Sequence, residues 1–163
     1  MKNNVVTIDI DSGGMPDPEI REEILGIEDK MKKFLDGQEG IGENDNVRHI
    51  FAPGVYAREI TINQGDFIVG KLHKTSHINI ISAGDISVKT EFGTHRYKAP
   101  YTFVSKVGTK RVVFAHEKTI WTTIHPTEET DLEKIEEHVI AKNYDEIPGL
   151  DGPCKPKEIG GDK

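Results

Sequence analysis

Residues 66–91, DFIVGKLHKTSHINIISAGDISVKTE, contain three short segments in which apolar and polar residues alternate. The segments DFIVGKLH, HINIIS and DISVKTE are rich in Val and Ile, and turn residues such as Gly84 separate them. Alternation with a period of two is typical of β-strands that bury one face. His73 and His77 lie four residues apart, just before an apolar run. The stretch therefore predicts β-strands with two histidines between them.

The same pattern extends in both directions, from about Val47 to His125. Turns containing Gly, Pro, Asn or Asp separate the segments, and no helical periodicity intervenes. Many short strands at close spacing favour a sandwich or barrel over a parallel sheet, and a jelly roll is the simplest such fold. The further predicted strands are VRHIF, VYAREITI, THRYK, YTFVS, TKRVVFA and TIWTTIH.

Two helices are predicted to flank the strands. In the first, over residues 18–36, Asp17 can cap the N-terminus and Pro18 suits the first turn. Its apolar stripe suits core packing or a dimer contact: Ile20, Ile24, Ile27, Met31, Phe34 and Leu35. Thr130 and Glu133 have the spacing of a capping box for the second helix, DLEKIEEHVIAKNY, which we expect to pack outside the barrel.

The chain is expected to form one core with appendages. Residues 1–46 form an N-terminal extension, 47–126 the barrel, 127–147 the C-terminal helical part and 148–163 a disordered tail. The single cysteine, Cys154, lies in that Pro/Gly/Lys-rich tail, so we expect an exposed thiol and no internal disulfide.

Composition disfavours two classes of partner. The 163 residues include 21 Lys+Arg against 28 Asp+Glu, a formal net charge of -7. Such a balance disfavours broad electrostatic binding to nucleic acid or to anionic membranes. No apolar run approaches the length of a membrane span, and the first residues lack an apolar leader segment. We therefore expect a cytoplasmic protein with neither nucleic acid nor membrane as partner.

Two common catalytic motifs are missing from the sequence. It has no Gly-x-Ser-x-Gly nucleophile elbow and no Gly-x-x-x-x-Gly-Lys-Ser/Thr phosphate loop.

The β region resembles the cupin superfamily. Aligned on Gly84, His73 takes the place of a metal-binding histidine and His77 that of the usual carboxylate, while Lys71 replaces the first histidine. In the segment VGTKR, Arg111 replaces the last histidine. The resemblance implies a mainly β fold, the double-stranded β-helix or jelly-roll barrel, here with an N-terminal and a C-terminal helix.

The resemblance also bears on cofactors, because Lys71 and Arg111 occupy two of its four metal-ligand positions. Neither cation donates an electron pair, and both repel a metal ion. We therefore expect no cofactor. The alternative is a divalent transition metal held by His73 and His77 with a third ligand such as His125, His95 or a carboxylate.

Strand alternation then predicts which side chains share the inner face. Four inward sets follow: Phe67, Val69, Lys71 and His73; His77, Asn79 and Ile81; Arg111, Val113 and Ala115; Thr119, Trp121, Thr123 and His125. Cations grouped inside a barrel lose hydration and need a compensating anion. We therefore predict a small anionic ligand, bound by six residues: Lys71, His73, His77, Arg111, Trp121 and His125.

Other interpretations of these residues remain open. Lys71 can extend to the rim, Arg111 can pair with Glu59 or Glu91, and the histidines can bond to backbone carbonyls. In an enzyme, His73 or His77 would be the base, and Tyr97 or Tyr101 the acid. A structural role in virions is the third alternative.

Segments such as APYTFVSKVGTKR also resemble small uncharacterised cupin-like proteins of tailed bacteriophages. This resemblance implies a protein of the host cytoplasm or, in the structural alternative, of the virion. Cupins pair their sheets, so it further implies a homo-oligomer, most simply a dimer.

Overall fold

The computed structural model describes residues 16–35 and 46–149. Short strands dominate, because Val, Ile, Thr and aromatic residues fit a pleated, half-buried surface. The elements in chain order are α1 (Pro18–Leu35), β1 (Val47–Ala52), β2 (Val55–Ile62), β3 (Phe67–Val69), β4 (Leu72–His73), β5 (His77–Ala83), β6 (Asp85–Thr90), β7 (Gly93–Lys98), β8 (Tyr101–Ser105), β9 (Val112–Ala115), β10 (Thr119–Pro126), α2 (Leu132–Val139), β11 (Ile140–Ala141) and a 3-10 helix (Tyr144–Glu146).

The strands form a jelly roll. One sheet has the order β1-β2-β10-β5-β8 and the facing sheet the order β3-β9-β6-β7. Antiparallel pairs are nested: β6 pairs with β7, β5 with β8, β3 with β9, and β2 with β10. A long hairpin folded over on itself in this way is the jelly-roll topology. The mainly β fold expected from the sequence is confirmed.

The main core lies between the two sheets. Its residues come from alternate positions of the strands, as one-sided burial requires. Buried members are Ile62, Ile81, Ile86, Val88, Tyr97, Phe103, Val113, Ala115 and Trp121.

Helix α1 packs against the sheet that contains β3 and β6. Ile24 is fully buried, and three ion pairs tie the helix to strands or loops: Arg21 with Glu91, Glu23 with Lys89, and Glu28 with Lys110. The apolar stripe is therefore used in packing within the chain. Its last two predicted members, Phe34 and Leu35, lie outside the described side chains.

Helix α2 is shorter than the sequence predicts, and its cap differs. Asp131, rather than Thr130, accepts the backbone N–H groups of Glu133 and Lys134. The helix ends at Val139 because Ile140 is extended and pairs with His73, which joins β11 to β4. Tertiary pairing thus overrides the helical pattern beyond Val139.

The predicted disordered tail lies, from residue 150 onward, outside the described residues, as do Cys154 and residues 1–15 and 36–45. Within the described ranges, no helix has the length and apolar character needed to cross a membrane.

Candidate functional site

A cavity of about 450 Å³ opens inside the barrel. Alternate residues of two paired strands line it, from Tyr56 to Ile62 on β2 and from Trp121 to His125 on β10. Helix α2 contributes Ile135 and Glu136 to the lining, so the helix lies beside the cavity. The strand periodicity thus directs one continuous set of side chains into a ligand-sized space.

Three histidines form a cluster at this cavity, and we call His73, His77 and His125 the histidine cluster. The ring centroids are 4.1 Å apart for His73 and His77, 4.9 Å for His77 and His125, and 5.5 Å for His73 and His125. His73 and His125 line the cavity, whereas His77 packs against both rings without lining it. The sequence-predicted residues from β4, β5 and β10 are therefore brought together.

Each cluster member has one buried nitrogen that bonds to no described atom of the chain. These atoms are Nδ1 of His73, Nε2 of His77 and Nδ1 of His125. The second ring nitrogen of His77, Nδ1, has a partner: it donates to the carbonyl oxygen of Thr75 across 3.1 Å. Buried polar atoms normally have partners, so the cluster has unused hydrogen-bonding capacity.

The pKa of every histidine in the cluster is lowered from its ordinary value. Burial, together with the charges of His77 and Arg111, lowers the pKa of His73 to about 2. Burial, reinforced by Arg111, lowers the pKa of His77 to about 3 although the Thr75 hydrogen bond opposes it. Burial also lowers the pKa of His125, with a further contribution from Arg58. Each ring can therefore donate from one nitrogen and accept at the other.

Arg111 lies at the cavity wall and is 6% exposed. Its Nη2 donates to the hydroxyl of Ser105, which also accepts from Nδ2 of Asn79 across 2.7 Å. The two carboxylates considered as its partners pair elsewhere, Glu59 with Arg48 and Glu91 with Arg21. Ser105, which is itself bonded to Asn79, thus holds the guanidinium at the cavity wall.

Lys71 does not point into the barrel as the alternation predicts. Its side chain is 60% exposed and pairs with Glu136 of α2, although it still lines the cavity near that helix. The reason is local: β3 ends at Val69 and β4 begins at Leu72, so the alternation does not continue through Gly70. The alternative in which Lys71 reaches the rim is the one observed.

The same break reverses the predicted face of β3. Phe67 was expected inside but is exposed, and Ile68 packs against the core instead. On the other strands the predicted inward sets are buried or half-buried, including Asn79, Val113 and Thr119. Alternation holds along continuous strands and fails across the short β3.

The aromatic candidates separate into two groups. Trp121 lines the cavity, and its Nε1–H donates to Oδ1 of Asn79 across 3.0 Å. The tilted rings of Tyr97 and Tyr101 pack against each other with centroids 4.7 Å apart, and neither lines the cavity. They are packing residues in this structure. His95, the other possible third metal ligand, is exposed and stacks against Tyr97.

Sequence reasoning missed four polar residues of the lining: His49, Tyr56, Arg58 and Glu136. Tyr56 is buried, and His49 contacts its hydroxyl at 2.7 Å. Tyr56 and Arg58 lie on β2, at positions directly opposite His125 and Thr123 of β10. The period-two pattern of VYAREITI contains this signal, but the pairing of β2 with β10 is needed to interpret it.

As arranged in this structure, the described residues do not form a site for a divalent metal. The His73 and His77 ring centroids, 4.1 Å apart, are closer than two imidazoles on one tetrahedral zinc would be, whereas the other two pairs of the cluster, 4.9 and 5.5 Å apart, are not. Among the described residues, no group of three or more His, Cys, Asp or Glu side chains could hold a metal ion. The nearby charge of Arg111 also repels a cation.

The sequence matches no known protein family and no curated protein. Among solved structures, a cupin-2 domain-containing protein from Shewanella frigidimarina is 12% identical, with 66% of this chain and 99% of that chain covered and a TM-score of 0.43. The cupin domain of Cnp3 from Schizosaccharomyces pombe is 20% identical, with coverages of 59% and 72% and a TM-score of 0.43.

KdgF from a Halomonas species is 15% identical, with coverages of 56% and 90% and a TM-score of 0.44. The chain's structural neighbours thus include cupin domains. At these identities and TM-scores the similarities carry no argument about function, and the jelly-roll assignment depends on the strand pairing described above.

Proposed function

We propose that this protein binds a small anionic molecule inside its barrel without a metal ion. The observation that carries the proposal is the location of Arg111, a buried guanidinium at the wall of a cavity of about 450 Å³. Buried charges are costly, and a carboxylate or phosphate group of a ligand satisfies a guanidinium with short, charge-assisted hydrogen bonds.

The electrostatics of the histidine cluster support the same conclusion. Besides burial, the charges of Arg111 and Arg58 lower the pKa of His73, and both guanidinium groups stay charged at neutral pH. A positive potential at His73 therefore disfavours a further cation and favours an anion. Glu136 is the one carboxylate residue among the described lining residues, and it is paired with Lys71.

The neutral imidazoles extend the range of contacts available to such a ligand. His73 and His125 line the cavity, and each has a buried Nδ1 with no described partner. An anion at Arg111 can accept from an imidazole N–H, and a protonated oxygen of the ligand can donate to a ring nitrogen. Binding of this kind suits sequestration or sensing of the molecule.

The more specific expectations from the sequence stay predictions: the bacteriophage context, the homodimer, the cytoplasmic location and the virion role. For the isomerase-like alternative, the two tyrosines expected to act as the acid, Tyr97 and Tyr101, do not line the cavity. The anionic ligand is therefore the function that the geometry supports best.

Isothermal titration calorimetry at pH 7 tests the proposal with two matched probe pairs, hexanoate against hexanamide and glucose 6-phosphate against glucose. We expect at least one anion to bind and its neutral counterpart to bind at least tenfold more weakly. Arg111→Met should weaken anion binding roughly tenfold to a hundredfold, because a charge-assisted hydrogen bond contributes about 1.5–3 kcal/mol.

Arg48→Met is the matched control, since Arg48 is exposed and pairs with Glu59 on the outside of the barrel. The proposal is wrong if no anion binds, if hexanamide or glucose binds as tightly as its anion, or if a folded Arg111→Met variant binds like the wild type. The comparison of each anion with its neutral counterpart needs no variant.

A further inference from the structure

We propose that the cavity selects small carboxylic acids with an apolar body, rather than sugar phosphates or nucleotides. This inference depends on the proposed function and adds the chemical class of the ligand. Its basis is the division of the cavity lining into a polar end, which includes Arg111, Arg58, His73 and His125, and an apolar wall.

The apolar wall consists of Ile60, Ile62, Ile68, Val113 and Trp121. Ile62, Val113 and Trp121 are buried members of the main core, and Ile60 and Ile68 pack against it. These side chains form a continuous surface with the hydrophobic core behind it. A hydrocarbon body gains free energy against such a surface, whereas a hydroxyl-bearing body loses its hydration without compensation.

Three polar side chains next to this wall, those of Trp121, Asn79 and Thr123, make hydrogen bonds within the chain. The indole N–H of Trp121 donates to Oδ1 of Asn79, so Trp121 presents an apolar ring to the cavity. Nδ2 of Asn79 donates to the Ser105 hydroxyl and to the backbone oxygen of His77. The hydroxyl of Thr123 lies 3.4 Å from the backbone oxygen of Arg58.

Sugar recognition requires the opposite arrangement. A sugar hydroxyl needs a donor or an acceptor that can replace its water, and a buried hydroxyl without one costs binding free energy. The Asn79 amide has its oxygen and its nitrogen engaged by neighbouring residues, so it offers little to a hydroxyl. The wall therefore discriminates against polyhydroxylated ligands.

The polar end has the chemistry to bind an anionic head group. Arg111 acts electrostatically on His73, and the rings of His73 and His125 are 5.5 Å apart, so these three groups lie close together. A planar carboxylate can accept from a guanidinium fork with both oxygens. The remaining cavity volume, bounded by the wall, is left for the apolar body.

Chemical discrimination in a homologous series tests the inference on the wild-type protein. Trp121 is the single tryptophan of the chain and lines the cavity, so its fluorescence reports on occupancy. The probes are butyrate, pentanoate, hexanoate, hexanamide and glucose 6-phosphate at pH 7. We expect affinity to rise about fourfold for each added methylene, since each buried methylene contributes a nearly constant transfer free energy.

We further expect hexanamide and glucose 6-phosphate each to bind at least tenfold more weakly than hexanoate. If glucose 6-phosphate binds tightly in an Arg111-dependent manner and the acid series shows no length dependence, the selectivity inference is overturned while the anion proposal stands. If hexanoate and hexanamide bind equally, or if no probe binds, both are wrong.

A change of the wall gives an independent check. Ile60→Thr replaces a half-buried wall residue by a smaller side chain that carries a hydroxyl. Hexanoate should then bind roughly fivefold to twentyfold more weakly, and butyrate should change less, because the longer chain makes more contact with the wall. An equal loss for both acids would contradict the placement of the apolar body.

Discussion

Trp121 and Asn79 are joined by a hydrogen bond of 3.0 Å between the indole Nε1 and the amide Oδ1, on the neighbouring strands β10 and β5. The same amide donates to Ser105, whose hydroxyl accepts from Arg111. One fully buried side chain therefore connects the cavity wall to the charge that is proposed to bind the ligand. Its loss should affect both stability and binding.

Asn79→Leu removes the three hydrogen bonds of the Asn79 amide, to Trp121, Ser105 and the backbone oxygen of His77, at nearly constant volume. We expect the free energy of unfolding to fall by about 2–4 kcal/mol. The buried N–H of Trp121 loses its acceptor, and Ser105, which accepts from Arg111, loses its bond to Asn79. Urea denaturation followed by Trp121 fluorescence measures this change. Thr102→Ala, at an exposed position of the adjacent strand β8, is the control and should change stability by less than about 0.5 kcal/mol. An Asn79→Leu variant with the wild-type free energy of unfolding would contradict the connecting role of Asn79.

The histidine cluster should make the protein less stable in mild acid. Folding lowers the pKa of His73 from 6.5 to about 2 and that of His77 from 6.5 to about 3. Below pH 6.5 the unfolded state therefore binds more protons than the folded state, and stability is lost as the pH falls. Each of the two histidines contributes a slope of about 1.4 kcal/mol per pH unit.

Urea denaturation between pH 7.5 and pH 5 measures that slope, above the range in which most carboxylates titrate. His73→Gln should reduce the slope by about one histidine's contribution. His138→Gln, at an exposed position on α2, should leave the slope unchanged. A wild-type stability that is flat over this interval would show that the cluster is already protonated, or is exposed, in the folded protein.

The Lys71–Glu136 pair lies at the edge of the cavity, with side chains 60% and 57% exposed. An exposed pair of this kind contributes less than about 1 kcal/mol to stability, so Glu136→Gln should unfold at nearly the wild-type urea concentration. Removal of a negative charge from the lining should strengthen anion binding about twofold to fivefold at low salt. Titration of hexanoate in low and high salt measures the effect.

Glu133→Gln is the matched control, because Glu133 is exposed on α2 and does not line the cavity. If both substitutions strengthen binding equally, the effect comes from net charge alone and not from the location of Glu136.

Gly84 allows the tight turn between β5 and β6. Its φ is +97°, and a Cβ there would lie 2.4 Å from Oγ1 of Thr119 and 2.6 Å from the backbone oxygen of Lys118. We expect Gly84→Ala to destabilise by about 3 kcal/mol or more, since strain and a backbone clash combine. Gly65→Ala, at φ +86° with no atom within 4 Å, should cost only about 1–2 kcal/mol. Equal losses would rule out the clash.

Much of the fold follows from local pattern. The strands from VRHIF to TIWTTIH are present because β-branched and aromatic residues alternate there between turn residues. The end of α2 could not be predicted in the same way, because pairing of Ile140 with His73 depends on a partner 67 residues away. Local propensity does not encode that contact.

The candidate site was predictable where a strand is continuous and was mispredicted where it breaks. His77 and Asn79 on β5, and Trp121 and His125 on β10, have the inward orientation that alternation gives. Lys71 lies between two short strands, β3 and β4, where the alternation is interrupted. Arg58 required the register of β2 with β10, which only the folded structure provides.

The most direct test of the central claim is whether the barrel takes an anion or a metal. Native mass spectrometry with elemental analysis, on protein purified without a histidine tag or chelator and then mixed with Zn²⁺ and hexanoate, answers this question. We predict a hexanoate adduct that Arg111→Met loses and only substoichiometric metal. One tightly bound metal ion per chain, lost in His73→Ala and retained in Arg111→Met, would contradict the account.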